Sequence, residues 1–275
     1  MVKVAVAGAA GKMGARICTL AHEHAEIELS GAFERRGHPA AGRDAGELHG
    51  FGALDAGGRT PGGVKIAEGA AAAIASADVL IDFTSVESTI ENAKICAAKK
   101  IPMVIGTTGF KDAQIEELEN ICAGIPVVLA PNMSVGVNLL LKVLKEVAAT
   151  LGDDYDIEIV EAHHRLKKDA PSGTAMKMAQ VIAAAVNRKL DDVAVYERKG
   201  FTGERKPKEI GIQSLRGGDI VGEHTVMFAG LGERLEFTHK ASSRDTFARG
   251  ALRAALWIKG RAAGFYDMQD VLGLK

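Results

Sequence analysis

The sequence has few cysteines, almost no excess charge and no visible targeting segment. Its three cysteines, Cys18, Cys96 and Cys122, are an odd number at wide spacing without a Cys-x-x-Cys pair, which argues against a disulfide framework and a zinc site. Basic residues number 34 and acidic residues 35, so the chain as a whole does not attract nucleic acid or an anionic membrane. Any anion site must therefore be local.

A membrane-spanning segment is also missing. The longest stretch without a charged residue, 120–141, contains prolines, asparagines and a glycine, which suit a strand, a loop and a helix. The amino terminus enters an apolar strand pattern without a basic region or a cleavage site. Together with the cysteine pattern, these features predict a cytoplasmic protein.

Short apolar runs rich in β-branched residues alternate with helical segments in the first half of the chain. Such runs suit buried parallel strands, and the alternation implies βαβ crossovers. The predicted strands are residues 2–8, 27–34, 77–84, 102–108 and 126–132. The predicted helices are 14–24, 68–77, 86–99 and 112–123, the last with Asp112 as its N-cap. This pattern predicts an α/β fold with a doubly wound parallel sheet, a Rossmann-like dinucleotide domain.

The pattern changes after residue 132. An amphipathic helix at 135–151, a strand at 155–162 and a helix at 174–189 precede three runs, 210–215, 223–229 and 234–239, that alternate like antiparallel strands. A last helix, 245–260, is expected to return to the first domain. We predict a dinucleotide-binding domain of residues 1–131 and 241–275, and an α+β substrate-binding and oligomerisation domain of residues 132–240.

One interval has little periodicity. Residues 37–63 contain nine glycines, which predicts a long mobile surface loop without regular structure.

A glycine-rich turn directly follows the first predicted strand and opens the first helix. Its sequence is Gly8-Ala9-Ala10-Gly11-Lys12-Met13-Gly14. Glycines in this position let the backbone approach a pyrophosphate, and a helix N-terminus offers unpaired N–H groups. The spacing is G-x-x-G-x-x-G rather than G-x-G-x-x-G, so the strand-turn-helix context supports the prediction more than the spacing does. The alternative is a tight turn that only packs the helix against the strand.

The end of the second strand bears on cofactor choice. Glu34 lies twenty residues after Gly14, where a carboxylate accepts hydrogen bonds from ribose hydroxyls, which favours NADH. Arg35 and Arg36 follow, and a guanidinium group can pair with the 2′-phosphate of NADPH. We therefore predict use of both NADH and NADPH. For Arg36 a solvated surface charge is an equal alternative.

Two further strand ends belong to the same edge of the sheet. They are Gly106-Thr107-Thr108-Gly109 and Ala130-Pro131-Asn132-Met133. Ligands collect at the carboxyl ends of parallel strands, and threonine and asparagine offer neutral hydrogen-bonding groups suited to a nicotinamide carboxamide. Ordinary turn chemistry is the competing interpretation.

A basic cluster, residues 163–168, lies between a strand and a helix. It reads His163-His164-Arg165-Leu166-Lys167-Lys168 and leads to Pro171-Ser172-Gly173-Thr174 at a helix start. Basic side chains and helix N–H groups together suggest binding of a dicarboxylate, and a histidine can donate a proton as a hydride arrives. Adjacent histidines on a strand point to opposite faces, so we predict no metal site. The alternative is an exposed loop that only solubilises the chain.

With these motifs the chain resembles the dihydrodipicolinate reductase family over nearly its whole length. The most specific part is residues 161–174, and residues 216–224 are also typical of the family. The resemblance implies NAD(P)H-dependent reduction of 4-hydroxy-tetrahydrodipicolinate, a cyclic dicarboxylate, to tetrahydrodipicolinate with loss of water, in lysine and diaminopimelate biosynthesis. It also implies a homotetramer built through the sheet of the second domain.

The resemblance assigns roles to individual residues. His163 corresponds to the catalytic acid/base and Lys167 to a proton donor, and the substrate contacts correspond to His164, Gly173 and Thr174. The residues that match cofactor contacts are Gly8, Ala9, Ala10, Gly11, Lys12, Met13, Glu34, Arg35, Gly106, Thr107, Thr108, Ala130, Pro131, Asn132 and Met133. Lys12 stands where relatives often have arginine, so it keeps the charge but loses the planar pair of donors.

Two other classes compete with this interpretation. A semialdehyde dehydrogenase of similar architecture needs a nucleophilic cysteine, whereas Cys18 and Cys96 lie in predicted helices and Cys122 near a helix end, as packing residues do. A non-enzymatic dinucleotide-binding regulator would not need the basic cluster.

Overall fold

The computed structural model describes residues 1–51 and 63–275, which form two compact units. Unit 1 comprises Met1–Val135 and Arg244–Lys275, and unit 2 comprises Gly136–Ser243. The domain boundaries predicted at 131/132 and 240/241 lie within a few residues of these limits. None of the helices in the described residues is both long and apolar enough to cross a membrane.

Strands and helices alternate through the first half of the chain. In order, they are β1 Val2–Ala7, α1 Lys12–His22, β2 Ile27–Glu34, α2 Ala45–His49, β3 Ile66–Glu68, α3 Ala70–Ala73, β4 Val79–Asp82, α4 Val86–Lys99, β5 Met103–Ile105, α5 Asp112–Ile121 and β6 Pro126–Leu129. The remaining elements are α6 Val135–Leu151, β7 Asp156–His163, α7 Gly173–Ala185, α8 Leu190–Val193, β8 Ala194–Val195, β9 Ile210–Arg216, β10 Gly222–Ala229, β11 Arg234–Ala241, α9 Asp245–Ile258, β12 Gly264–Tyr266 and α10 Met268–Leu272.

Unit 1 contains a parallel sheet with the strand order β12-β6-β5-β4-β1-β2-β3. The chain first builds outward from β1 through β2 to β3 and then continues on the other side of β1 with β4. This reversal makes the carboxyl ends of β1 and β4 the switch point where such sheets bind ligands. The predicted doubly wound, Rossmann-like sheet is confirmed.

The sheet of unit 1 is buried on both faces, which explains its continuous apolar strands. Val4 and Val6 of β1 face one cluster, which includes Ile17 of α1 and residues of α9. Ala5 and Ala7 face the other cluster, which includes residues of α3, α4 and α5. Alternate residues of one strand therefore serve both layers of helices.

Four local predictions in unit 1 need correction. Asp112 is not an N-cap: α5 begins at Asp112, and the N–H of the preceding Lys111 donates to Gln114 Oε1 at 3.0 Å. In the interval 37–63, residues 45–49 form α2, whose N-cap Asp44 accepts from Gly46 N at 2.8 Å. Residues 52–62 of that interval lie outside the described residues.

The predicted helix at 68–77 is reduced to the short helix α3, because β3 extends to Glu68. Strands β5 and β6 are also shorter than predicted. The chain leaves β5 at Gly106, whose N–H donates to the carbonyl oxygen of Asp82 at 2.8 Å. The residues that follow these short strands are thereby free to form loops at the sheet edge.

Unit 2 is a mixed sheet with the order β11-β10-β7-β9-β8, packed against α6 and α7. Strand β10 is antiparallel to β11, as predicted, and it is also antiparallel to β7. Strand β9 was expected to be antiparallel, which is wrong: it runs parallel to β7 and to β8. Apolar alternation places residues on a face but does not encode strand direction, which here depends on the long connection between β8 and β9.

We expect Gly31→Ala to destabilise unit 1, because a Cβ at Gly31 would lie 2.0 Å from the carbonyl oxygen of Ala73 in α3. The free energy of unfolding should fall by about 1–3 kcal/mol, the usual cost of overpacking. Gly124→Ala is the matched control, since no heavy atom of the described residues, apart from its chain neighbours, lies within 4 Å of its Cβ position. Urea unfolding of both variants checks this, and equal stabilities would contradict the close approach of α3 to β2.

Candidate functional site

The glycine turn after β1 is a tight loop closed by its own backbone. Gly8 has a φ of +63°, in the region that favours glycine, and the N–H of Gly11 donates to the Gly8 carbonyl at 2.9 Å. A Cβ at Gly14 would lie 2.1 Å from the same carbonyl oxygen. Among the described residues no side chain caps α1. The N-terminus of α1 therefore remains available to an anion.

Glu34 ties the end of β2 to this turn. Its carboxylate is buried, and Oε1 accepts a hydrogen bond from Ala10 N at 2.9 Å. The sequence predicts Glu34 as a partner for ribose hydroxyls but not as a support for the turn. One carboxylate oxygen holds the turn in place, and the second is available to a ligand.

A cavity of about 630 Å³ opens beside the switch point, a size typical of cofactor sites. It contains five residues predicted from sequence: Gly8, Ala10, Gly11, Glu34 and Arg35. The other residues of its lining are Phe33, His38, Gly69, Phe83, Thr84, Ser85, Glu87, Ser88, Glu91 and Asn92. Most of these residues follow β4. The rule that ligands bind at the switch point of the sheet, applied to the end of β4, could have predicted them from the sequence.

The loop after β4 is ordered by Asp82, which the sequence analysis did not single out. Asp82 is fully buried and accepts from Thr84 N at 2.9 Å, Thr84 Oγ1 at 2.6 Å and Asn92 Nδ2 at 2.8 Å. Burial raises the pKa of Asp82, although these hydrogen bonds oppose the shift. Gly106 gives space to this loop, since a Cβ there would lie 2.1 Å from the ring of Phe83.

The threonine and asparagine at the neighbouring strand ends mainly stabilise their own loops. The hydroxyl of Thr107 is buried and lies 2.8 Å from the hydroxyl of Thr89 in α4. Asn132 Oδ1 accepts from Ser134 N at 2.9 Å, as in an Asx turn. Thr108 is exposed, and Ala130 N donates to the Ile105 carbonyl. The segments Gly106–Thr108 and Ala130–Met133 do not line the cavity described above.

In unit 2 the basic cluster is organised around Glu161 of β7, which is fully buried. Its Oε2 lies 2.6 Å from His163 Nδ1, and Arg216 binds both carboxylate oxygens at 2.9 and 2.8 Å. Its Oε1 also accepts from Ser172 N at 3.1 Å. Ser172 is the N-cap of α7, so one carboxylate connects His163 to the start of the helix that contains Gly173 and Thr174.

The charge states follow from these contacts. Burial by itself would raise the pKa of Glu161, but the hydrogen bonds from Arg216 and His163 outweigh it and lower the pKa to about 2. Burial lowers the pKa of His163, opposed by the hydrogen bond to Glu161. Glu161 is therefore an anion at neutral pH. His163 donates its Nδ1 proton to this anion, which leaves Nε2 for proton exchange.

Lys167 and His164 occupy different surroundings. Lys167 Nζ binds both carboxylate oxygens of Asp169, at 2.9 and 2.8 Å, rather than His163. Nδ1 of His164 is buried and has no hydrogen-bond partner among the described residues. The loop closes at a cis Ala170-Pro171 peptide bond, directly before the N-cap of α7.

A second buried histidine, His224 of β10, was missed from the sequence, although it ends the family-specific segment 216–224. Its Nε2 lies 2.9 Å from Ser172 Oγ, and its ring is 5.3 Å from that of His163 in an edge-on arrangement. Burial and the neighbouring His163 lower the pKa of His224 to about 4. His224 is therefore neutral near pH 7.

The cysteines are packing residues. All three are buried, and burial raises the thiol pKa to about 12 for Cys18 and Cys96 and to about 11 for Cys122. A thiol with such a pKa is inert as a nucleophile at neutral pH. This removes the support for a cysteine-dependent semialdehyde dehydrogenase.

A doubly wound parallel sheet with a glycine turn, together with an α+β unit that holds an oriented histidine, defines a two-domain dinucleotide-dependent oxidoreductase. The family model "Dihydrodipicolinate reductase, N-terminus" matches residues 2–133, and "Dihydrodipicolinate reductase, C-terminus" matches residues 136–272. The chain belongs to the dihydrodipicolinate reductase family. The resemblance inferred from its motifs is thus confirmed.

The similarity to named relatives extends over the full length. The chain is 55% identical to the 4-hydroxy-tetrahydrodipicolinate reductase of Syntrophus aciditrophicus and 54% identical to that of Geobacter sulfurreducens, each over 100% of both chains. A dipicolinate-bound dihydrodipicolinate reductase from Paenisporosarcina sp. TG-14 has the same fold, with a TM-score of 0.72, 24% identity and 98% of both chains covered.

We expect His224→Gln to reduce the acid sensitivity of the fold. The pKa of His224 is about 4 in the folded chain against an ordinary 6.5, so the unfolded chain takes up the proton first as pH falls. In the unmodified chain, the free energy of unfolding should therefore decrease as the pH falls from 6.5 to about 4, by at most about 1.4 kcal/mol per pH unit. His224→Gln should remove this decrease.

Urea unfolding at about pH 7, 6 and 5 measures this slope. Thr225→Ser, a change on the same strand that removes no titrating group, should keep the slope of the unmodified chain. An identical slope for His224→Gln would contradict the assignment of His224 as a neutral buried group.

Proposed function

We propose that this chain reduces 4-hydroxy-tetrahydrodipicolinate to tetrahydrodipicolinate with loss of water, using NADH or NADPH, as a step of lysine and diaminopimelate biosynthesis. The observation that supports this most is the arrangement around Glu161, which orients His163 and the N-terminus of α7 together. A proton donor beside an anion-binding helix end suits reduction of a carboxylated, unsaturated ring.

The residues of unit 1 fit a nicotinamide dinucleotide. The uncapped N-terminus of α1 suits the pyrophosphate, and the glycine turn allows the backbone approach that a Cβ would block. Glu34 faces the cavity with one oxygen available to the ribose, and the exposed Arg35 lies on the same lining. When bound, the reduced nicotinamide supplies the hydride. The assigned contacts of Lys12, Met13, Gly106–Thr108 and Ala130–Met133 remain part of this proposal.

Unit 2 supplies the substrate groups. Ser172 caps α7 through its bond to Ala175 N at 3.2 Å, and Gly173 and Thr174, the assigned substrate contacts, form the start of this helix, where a carboxylate is favoured. His164 adds a buried ring nitrogen without a partner among the described residues. Lys167 adds a cation that Asp169 holds beside the helix start. The start of α7 and Lys167 are two separate anchors, in agreement with the two carboxylates of the substrate ring.

His163 delivers the proton from Nε2. Its Nδ1 is held by Glu161, and Gly222 of β10 leaves room beside Nε2, since a Cβ there would lie 3.1 Å from that nitrogen. The proton reaches the carbanion-like centre that forms as the hydride arrives, and the neutral ring then recovers a proton from solvent. Lys167 serves as the second proton donor in this scheme.

The assembly and location of the protein belong to the same proposal. A homotetramer built through the sheet of unit 2 agrees with the exposed leucines on that sheet, Leu215 of β9 and Leu235 of β11. A reducing cytoplasm agrees with three buried, unpaired cysteines. Sedimentation analysis of the purified chain measures the assembly directly.

The decisive experiment is oxidation of NADH and NADPH by the purified chain when a dihydrodipicolinate synthase supplies the substrate from pyruvate and aspartate semialdehyde. We expect oxidation that depends on the synthase with both cofactors. Cofactor binding without any such oxidation would retain the dinucleotide site and reject the substrate.

The ratio of turnover with NADPH to turnover with NADH should change in opposite directions in two variants. Glu34→Gln keeps an acceptor for Ala10 N but removes the negative charge that disfavours a 2′-phosphate, so the ratio should rise, by about tenfold. Arg35→Ala should lower it. Arg36→Ala is the control and should change it least, because Arg36 is exposed and does not line the cavity. A preference of the unmodified chain beyond about a thousandfold would reject dual use.

His163→Ala should lower turnover by roughly 10²–10⁴-fold, the usual contribution of a general acid, while cofactor affinity stays nearly unchanged. The reason is that His163 lies in unit 2 and the glycine turn in unit 1. Lys167→Ala should reduce turnover more than its neighbour Lys168→Ala, which is exposed. Steady-state kinetics and NADH titration test both statements. Loss of NADH binding in His163→Ala, or equal losses in the lysine variants, would contradict them.

A further inference from the structure

The contacts of Glu161 indicate that it positions neighbouring groups and does not react itself. It is fully buried, and each of its carboxylate oxygens has at least two donors, with the side chain of Ser214 as a further hydrogen-bond partner. Oε2 accepts from His163 and from Arg216, and Oε1 accepts from Ser172 N and from Arg216. No oxygen of Glu161 is left for a substrate contact, so its effect must pass through these donors.

We propose that Glu161, fixed by Arg216, is a positioning residue that sets the tautomer of His163 and aligns this proton donor with the carboxylate anchor at the N-terminus of α7. The inference rests on the proposed function and deepens it. It assigns one side chain to two tasks: Oε2 orients the proton donor, and Oε1 orients the backbone that receives the substrate.

The strand geometry explains why one residue serves both purposes. Glu161 and His163 are two positions apart on β7, so their side chains share a face of the sheet. In the ladder, Arg216 is opposite His163 on β9, and His224 is opposite Glu161 on β10. The guanidinium group therefore reaches Glu161 diagonally and binds both oxygens, which prevents rotation of the carboxylate.

Arg216 also extends the network toward the substrate loop. Its NH2 group donates to the carbonyl oxygen of Asp169 at 2.8 Å, and Gly217 N donates to the carbonyl oxygen of His163 at 2.9 Å. The loop of residues 164–171 is thus held at both ends by groups that contact the same carboxylate or its arginine. A shift of Glu161 would move the proton donor and the anchor together.

The charged and titratable groups around His163 act on it unequally. Arg216 from β9, Lys167 from the loop and the neighbouring His224 from β10 are basic, and Asp169 is paired with Lys167. Glu161 is the one group among these causes that raises the pKa of His163, against burial and the two cations. Removal of its charge should therefore lower the pKa of His163 further. Because His163 must be protonated to donate, the alkaline limb of the pH–rate profile should shift to lower pH.

The test compares Glu161→Gln with Glu161→Asp and with Glu158→Gln. Glu158 is the matched control. It lies on the same strand, and an arginine, Arg198, also binds both of its carboxylate oxygens. Within the described part of the chain, Glu158 has no hydrogen bond to His163. We expect Glu161→Gln to lower kcat by at least about tenfold, to raise KM through Ser172, and to move the alkaline limb to lower pH. Glu161→Asp keeps the charge and should restore the position of the limb, and Glu158→Gln should leave it unchanged.

A nitrogen-15 NMR spectrum of the histidine rings gives a readout that does not depend on activity. In the unmodified chain His163 should carry its proton on Nδ1 when neutral, and Glu161→Gln should reduce this preference. Failure of the proposed function would leave the tautomer result intact, so the two can be distinguished. An unchanged tautomer and an unchanged alkaline limb in Glu161→Gln would overturn the inference. If that variant does not fold, Arg216→Lys, which keeps the charge but cannot bind both oxygens at once, tests whether Arg216 fixes Glu161: the preference of His163 for a proton on Nδ1 should fall, and an unchanged tautomer would overturn the inference.

Discussion

The ion pair between Glu161 and Arg216 is the interaction on which the arrangement of unit 2 depends. A buried carboxylate is costly unless it is paired and hydrogen-bonded, and loss of one partner of such a pair typically costs about 3–5 kcal/mol. Here the pair also fixes the ring of His163 and the first turn of α7. A hydrophobic replacement of the pair can pack as well, but it would remove the one carboxylate that contacts both His163 and the start of α7. The ion pair is thus better explained by positional accuracy than by stability.

Unit 1 contains two further buried carboxylates that hydrogen-bond to the backbone of a loop. Glu34 and Asp82 are buried carboxylates near the ends of β2 and β4, and each accepts a hydrogen bond from a backbone N–H in a loop of the sheet edge, Ala10 and Thr84 respectively. Glu161 does so with Ser172. Loop N–H groups that face a binding site have no partner in regular secondary structure, and a buried side chain supplies one without covering the site. Each of these loops is thus linked to its sheet by a buried hydrogen bond.

The sequence predicts the parts of this molecule that depend on local pattern. Continuous apolar runs indicated the parallel sheet, and a glycine turn between a strand and a helix indicated the dinucleotide site. The direction of β9, the short helix at residues 45–49 and the start of α5 were missed, because pairing direction and helix ends depend on distant contacts. The partners of His163 were missed for the same reason: Arg216 is 55 positions from Glu161, and no spacing rule connects them.

The sequence also overstates the positive charge that a substrate would meet. Between residues 163 and 168 five side chains are basic or can become so, yet Lys167 is paired with Asp169, and the nearby Arg216 is paired with Glu161. Arg216 cannot leave its partner without exposing a buried anion, whereas Asp169 is largely exposed and can return to water at little cost. In the proposed function, a substrate carboxylate competes with Asp169 for Lys167 but not with Glu161 for Arg216. On this proposal the two ion pairs have different roles: the pair of Lys167 with Asp169 is exchangeable and receives the ligand, and the pair of Arg216 with Glu161 is permanent and keeps His163 in place.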